Sequence, residues 1–231
     1  MKSYVITIPN HHVSQNAANI CITSSIKVEN DFTVKKFNAV TPQQVKKVMK
    51  DFRVQWNYPW EGEIFDFKTG LKKKSYPTVN KEARIACALS HYTLWKESAD
   101  NNETILVMEH DAKFIKKLDV DEIEQSKYNI IGINNPLFAT RKAQLFKQLV
   151  ESSNKSILPV PSIDSFDVPQ GLAGNSAYVI KPRGAKDMIK LVEDHGLWPN
   201  DALMCKQLVK SLAVTKTFYT EVQGTPSTTT R

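Results

Sequence analysis

The stretch Thr104-Ile105-Leu106-Val107-Met108 is apolar at every position after its first hydroxyl, and its length and flanks predict a strand covered on both faces, as in a parallel sheet. It is preceded by a strong helix pattern. Asn80 supplies an N-cap, Glu82 sits in the first turn, and Ile85, Ala88, Leu89, Tyr92 and Trp95 recur at helical spacing, so residues 81 to 98 are predicted to form an amphipathic helix ended by Asp100-Asn101-Asn102. A helix feeding a buried strand is the unit from which α/β domains are built.

The rest of the chain reads the same way. Tyr4 to Ile8 forms a strand that stops at Pro9-Asn10, followed by a segment with Val13, Ala17, Ile20 and Cys21 at roughly helical spacing. Further strands are predicted from Thr33 to Val40, Tyr128 to Asn134 and Ala177 to Ile180. Thr41-Pro42 starts a helix through Lys50, and Pro182 starts one with Ala185, Met188, Ile189 and Val192 on a single face. Residues 52 to 79 are rich in aromatics and turn formers without a clean period and are expected to be a long functional loop. No repeat or linker divides the chain, which gives one domain over residues 1 to 223 and a frayed, Thr- and Ser-rich tail over 224 to 231.

A hydrophobic share of 41% and a charged share of 24% exclude a fibrous or broadly disordered chain. Cys21, Cys87 and Cys205 lie far apart without C-x-x-C spacing, which points to neither a disulfide framework nor a zinc cage and fits a reducing, cytoplasmic setting. The apolar run before Pro9 lacks a cleavage site and reads as a strand, not a signal peptide, and no segment approaches a membrane span. A formal charge of +7 favours a polyanionic partner: nucleic acid, an anionic glycolipid surface or a nucleotide diphosphate. Taken singly, Lys72-Lys73-Lys74 and the pairs Lys35-Lys36, Lys46-Lys47 and Lys116-Lys117 each read as a solvated face.

Glu109 and Asp111 flank His110 immediately after the most apolar strand, at the carboxyl edge where open α/β sheets bind ligands. Two carboxylates there can hold a magnesium or manganese ion that eases departure of a diphosphate. An isolated E-x-D can also do no more than solvate a strand end. His110 is read as a phosphate donor or as a side chain pointing away, in preference to a metal ligand.

The run Ala86-Cys87-Ala88-Leu89-Ser90-His91-Tyr92-Thr93-Leu94-Trp95, followed by Ile105 to Ala112, resembles the hallmark of glycosyltransferase family 25. That family usually shows G-C-x-L-S-H with a nearby Trp, then a hydrophobic strand ending in L-E-D-D. Phe37-Asn38-Ala39-Val40 and Ala173-Gly174-Asn175-Ser176-Ala177-Tyr178-Val179-Ile180 with Gly184-Ala185 resemble its flanking blocks. His110 departs from E-D-D, which bears on metal preference or donor choice, and Ala86 stands where the family often has Gly.

The resemblance implies a GT-A (Rossmann-like) single α/β domain with a mostly parallel central sheet flanked by helices, a UDP-sugar donor, a divalent metal (Mn or Mg) and inverting transfer to an acceptor hydroxyl. By position, Asp111 becomes a metal ligand, with Glu109 on the metal, on a metal-bound water or nearer the ribose. Ser90 and His91 either touch donor or substrate or hydrogen-bond the helix to the sheet. Asp201, in a Pro-x-Asp that matches the family, becomes the general base, although an acid in a first helical turn is also favoured by the helix dipole. Asp164 and Asp167 are held in reserve for that role. Asn10, Ala39 and Val40 are candidates for nucleotide contact and Asn175 for the sugar, with a turn-forming role as the alternative for Asn175.

In bacterial relatives the acceptor would be a lipopolysaccharide core sugar. A phage-type enzyme acting on hydroxymethylated DNA bases is a second expectation, since Lys72 to Lys74 lie near Trp56, Trp60 and Tyr76. The competing class is a non-catalytic nucleic-acid- or glycan-binding module on the same fold.

Overall fold

A computed structural model describes residues 1–138 and 142–224. The expected frayed tail therefore lies, apart from Gly224, outside the described residues. In chain order the strands are β1 (Lys2–Thr7), β2 (Val34–Asn38), β3 (Glu63–Asp66), β4 (Leu71–Lys74), β5 (Ile105–Glu109), β6 (Ala112–Phe114), β7 (Ile130–Gly132), β8 (Ile157–Pro159), β9 (Ala177–Ile180), β10 (Leu212–Thr215) and β11 (Thr220–Val222). The helices are α1 (His12–Lys27), α2 (Val45–Phe52), α3 (Lys81–Asn101), α4 (Val120–Gln125), α5 (Ala143–Glu151), α6 (Pro182–His195) and α7 (Asn200–Leu203).

Seven strands build the central sheet in the order β2-β1-β5-β9-β7-β10-β8. Strands β2, β1, β5, β7 and β10 run one way, and β9 and β8 run against them. The sheet is thus mostly parallel in direction, as expected, but β9 is inserted antiparallel at its centre. Every residue of β9 is buried, and burial on both faces is a property that central parallel and antiparallel strands share, so composition could not reveal its direction.

Strand β5 shows why the apolar run is continuous. Ile105 and Val107 join the core that holds Trp95, Met188 and Trp198, while Leu106 and Met108 join the opposite core with Ala18, Cys21 and Ile131. Each such side chain contributes roughly 1.5–3 kcal/mol by leaving water. Helix α3 starts where expected, with Asn80 Oδ1 accepting from the Ala83 amide at 3.0 Å. It runs three residues past the predicted end and stops at Asn102 in the left-handed conformation, φ 52°.

Two expectations need correction. In α1 the buried residues are Ser14, Ala17, Ala18, Cys21 and Ser25, whereas Val13 and Ile20 are exposed. Small residues, not the larger apolar ones, face the sheet because α1 lies close against it. Residues 52 to 79 are not one long loop: β3 and β4 pair as an antiparallel hairpin within them. The inward positions of β4 are Leu71 and Lys73, and a lysine at a core position hides the period-two signal. Lys73 is 1% exposed, pairs with Asp66 at 2.7 Å, donates to the Asn57 carbonyl at 3.1 Å and lies 3.9 Å over the Trp198 ring.

Removing one partner of a buried ion pair strands the other, so Lys73→Ala is expected to cost about 3–5 kcal/mol. Chemical denaturation measures this. Addition of Asp66→Asn should recover part of the loss, which a purely steric defect would not allow.

Candidate active site at the carboxyl edge of the sheet

Strand register sets the site. Across three adjacent parallel strands Phe37 pairs with Ile6 and Ile6 with Glu109, so Phe37 and Glu109 stand about 10 Å apart along the sheet edge at the usual strand spacing. His110 and Asp111 then make a tight turn into β6, which pairs with β11 instead of entering a helix. Gln223 clamps this turn. Its amide donates to the Asp111 carbonyl at 2.7 Å, and its Nε2 lies 2.9 Å from the Ala17 carbonyl, 3.1 Å from that of His110 and 2.9 Å from that of Ala112.

Glu109 is oriented from behind by a buried chain of hydrogen bonds. Trp95 Nε1 donates to the Tyr178 hydroxyl at 2.8 Å, that hydroxyl meets His91 Nδ1 at 2.9 Å, and His91 Nε2 meets Glu109 Oε1 at 3.2 Å. Indole can only donate. With Tyr178 accepting from Trp95 and donating to Nδ1, His91 donates from Nε2 to Glu109. Burial works against charge on Glu109, but the hydrogen bond and charge of His91, the charge of His110 and the approach of Asn200 outweigh it and hold the carboxyl below its usual range. Asn200 Nδ2 nonetheless stays outside hydrogen-bond reach of any partner. Burial pushes the His110 pKa below its usual range, with nearby His11 acting in the same direction and Glu109 opposing.

Asp111 behaves oppositely. Burial and the neighbouring charge of Glu109 push its carboxyl up to about 7, against a hydrogen bond from Ser176. Its Oδ1 is buried and has no hydrogen-bond partner. A carboxylate left unsatisfied beside a second one is the donor set that a hard divalent cation would complete, so Glu109 and Asp111 fit magnesium or manganese. Asn175 is 7% exposed with both side-chain polar atoms unpartnered, and it follows Gly174 at φ 75°.

Asp201 is exposed in the first turn of α7. Burial raises its pKa, a hydrogen bond from the Tyr76 hydroxyl and the charge of Arg84 oppose the rise, and Glu109 adds to it. Arg84 is anchored to the same segment, with Nε donating to Thr78 Oγ1 at 2.7 Å and Nη2 to the Pro77 carbonyl at 3.0 Å. Helix α7, which carries Asp201, rests on Gly171: a Cβ at that position would stand 2.6 Å from the Met204 carbonyl oxygen and 2.8 Å from that of Asp201. Gly171→Ala is therefore expected to cost about 1–3 kcal/mol by overpacking and to reduce turnover by displacing Asp201; thermal melting and initial rates check the pair of effects.

The remaining candidates separate. Ser90 is fully buried, its hydroxyl donating to the Ala86 carbonyl at 2.8 Å and accepting from the Val40 amide at 2.9 Å, so it shapes the wall that Val40 presents and does not face the cleft. Ala39 and Val40, with Phe37, Val48 and Phe52 and the polar Asn38, Gln44 and Thr93, line a pocket of about 370 Å³, a size suited to part of a small ligand. Asn10 occupies the exposed turn after β1 at φ 58°. The two reserve acids are committed elsewhere: Asp164 pairs with Lys142 at 2.7 Å and Asp167 with Lys72 at 2.9 Å. Of the lysine run, Lys72 pairs with Asp167 and Lys73 is buried against Asp66, while Lys74 is exposed.

The sequence reading missed Arg84, Gln223 and Asn200, and it noted Tyr76 only as an aromatic near the lysine run. Tyr178 and Trp95 were visible only as members of the motif blocks. No spacing rule marks Gln223, which lies more than a hundred residues from the turn it holds.

Among the described residues, no helix is long and apolar enough to cross a membrane. No curated protein matches the sequence significantly. Solved structures of similar fold include mouse xyloside xylosyltransferase 1 in its apo form (TM-score 0.42, 7% identity, covering 91% of this chain and 80% of that one). An active-site mutant of LgtC (0.43, 11%, 98% and 88%) and the bifunctional glycosyltransferase WbbM (0.44, 8%, 93% and 38%) are others. The model of glycosyltransferase family 25, described as a lipopolysaccharide biosynthesis protein family, matches residues 10–204. A match across most of the chain, enclosing Ser90, His91, Glu109, Asp111 and Asp201, establishes that the chain belongs to glycosyltransferase family 25.

Proposed function

We propose that this glycosyltransferase moves a sugar from a UDP-sugar to a hydroxyl of an acceptor glycan, of the kind found in lipopolysaccharide, in a divalent-metal-dependent and inverting reaction within the cytoplasm. The observation that carries the reading is the pair Glu109 and Asp111 at the sheet edge, with a buried, unpartnered Asp111 oxygen and the accessible Asp201 in the same electrostatic neighbourhood. Glu109 and Asp111 would hold manganese or magnesium, which supplies charge neutralisation for the departing diphosphate.

The chain's own residues do the rest. His91 keeps Glu109 ionised and aimed. The cavity beside Ala39 and Val40 receives the nucleotide end, about 10 Å from Glu109 along the sheet edge, and the unpartnered amide of Asn175 takes sugar hydroxyls. Asp201 accepts the proton of the acceptor hydroxyl as its oxygen bonds to the anomeric carbon and the bond to the diphosphate breaks. A glycan is favoured over DNA as acceptor because two of the three lysines in the run are paired with carboxylates, Lys72 with Asp167 and Lys73 with Asp66.

The test is release of UDP from UDP-sugars with and without manganese, followed by nuclear magnetic resonance of the anomeric configuration of the product. Metal-stimulated release that Asp111→Asn abolishes supports the proposal. Binding of glycan without turnover under any metal would instead favour the non-catalytic module, and retention of configuration would remove Asp201 from the role of base.

A further inference from the structure

Helix α3 carries Cys87 and His91 one turn apart, so both side chains leave the same face, and that face meets the end of β5. The Cys87 thiol, a His91 ring nitrogen and a Glu109 carboxylate oxygen lie within 4.8 Å of one another. Tetrahedral ligands at metal bonds of about 2.0–2.3 Å stand about 3.5 Å apart, and the His91 Nε2 to Glu109 Oε1 separation is already 3.2 Å. We propose that Cys87, His91 and Glu109 form a three-ligand site for a thiophilic divalent cation such as zinc, distinct in chemistry from the Glu109–Asp111 oxygen pair and sharing Glu109 with it.

Two features support this. One sulfur, one imidazole nitrogen and one carboxylate oxygen select zinc, cobalt or cadmium over magnesium and manganese, which favour oxygen alone. The outer support that metal-bound histidines use is also present: His91 Nδ1 faces the Tyr178 hydroxyl at 2.9 Å, itself fixed by Trp95. Cys87 and Glu109 are only partly buried, so the group is not sealed from solvent.

On coordination the Cys87 S–H proton leaves to solvent, and the single ring proton of His91 resides on Nδ1, donated to the Tyr178 oxygen, so that Nε2 is free to bind. Glu109 exchanges its hydrogen bond from His91 for the cation. A cation there takes Glu109 away from the donor site, so zinc inhibits transfer. That inhibition rests on the proposed function, whereas the binding does not.

The test is a titration of the full chain with cobalt(II), without nucleotide sugar, followed by absorbance. A thiolate-to-cobalt charge-transfer band that saturates at one equivalent is expected in the parent and in Asp111→Asn, is retained in Cys21→Ala and Cys205→Ala, and is lost in Cys87→Ala. No band in the parent, or a band that survives Cys87→Ala, overturns the site. A measurement on the natural cysteine guards against a misfolded variant: zinc(II) should slow alkylation of Cys87, read by peptide mass, in the parent but not in Glu109→Gln. Alkylation of the parent that ignores zinc overturns the proposal equally. Because the band is read in Asp111→Asn without any donor, failure of the transferase reading leaves it in place, and the two ideas fail separately.

Discussion

Asp111→Asn is expected to lower kcat by about three orders of magnitude, the effect of withdrawing roughly 4 kcal/mol of charge stabilisation from the transition state, while the fold survives. The residue lies in the turn after β5, outside both hydrophobic cores, and asparagine preserves its size. What is lost is the anionic oxygen that faces no protein partner. Steady-state kinetics at saturating manganese measure the drop, and a matching fall in thermal stability would show that Asp111 supports the turn and not the chemistry.

Stability against pH gives the same residue a second, independent signature. In the unfolded chain an aspartate ionises near about 3.9, whereas burial and the charge of Glu109 push Asp111 up to about 7 in the folded protein. Between those values the folded chain retains a proton that the unfolded chain has released. Ionisation therefore costs the folded state, and the Asp111 contribution to stability falls as pH rises through this window, reaching its lowest level above pH ~7. Asparagine cannot ionise, so the metal-free variant should lose that slope and melt higher than the parent near pH ~8. Manganese binds the ionised form, so it should raise the parent's melting temperature more near pH ~8 than near pH ~6 and leave the variant unchanged. A variant that still gains stability from manganese would place the metal elsewhere.

The sequence revealed the parts of this site that are local. The apolar run of β5 and the acids at its end are contiguous, which places Glu109 and Asp111 at the carboxyl edge, and the cap at Asn80 with the spacing of Ile85 to Trp95 defines α3 and puts His91 late in that helix. Features that depend on contacts across the chain were not legible. The direction of β9 is fixed by its neighbours. The hairpin of β3 and β4 escaped because its inward lysine is tolerated through Asp66 across the hairpin and through Trp198, more than a hundred residues further along the chain. Gln223 reaches the acidic turn from the far end of the chain for the same reason. Ser90 and His91 look equivalent as neighbours in a motif, yet one helical step turns Ser90 toward Val40 and His91 toward Glu109.

Asp201→Asn should reduce kcat by about 10²–10⁴, the usual range for loss of a general base, and here pH dependence distinguishes catalysis from structure. Burial raises the Asp201 pKa, aided by the charge of Glu109 and opposed by the Tyr76 hydroxyl and Arg84. A base with a raised pKa puts the acid limb of kcat/KM above the ordinary aspartate range, because the group must lose its proton before it can accept one. Tyr76→Phe removes a hydrogen bond that favours the charged form, so the limb should move to still higher pH, with little change in rate on the alkaline plateau. An Asp201 that merely completes the first turn of α7 predicts a different result: Tyr76→Phe would leave the limb in place, and Asp201→Asn would lose activity only as far as it loses stability. Glu109 cannot mimic the shift, since His91 holds its carboxyl below the usual range and Tyr76 is not among the groups that act on it. Movement of the limb in Tyr76→Phe, with melting temperature unchanged, therefore assigns the proton acceptor to Asp201, and an immobile limb removes it from that role.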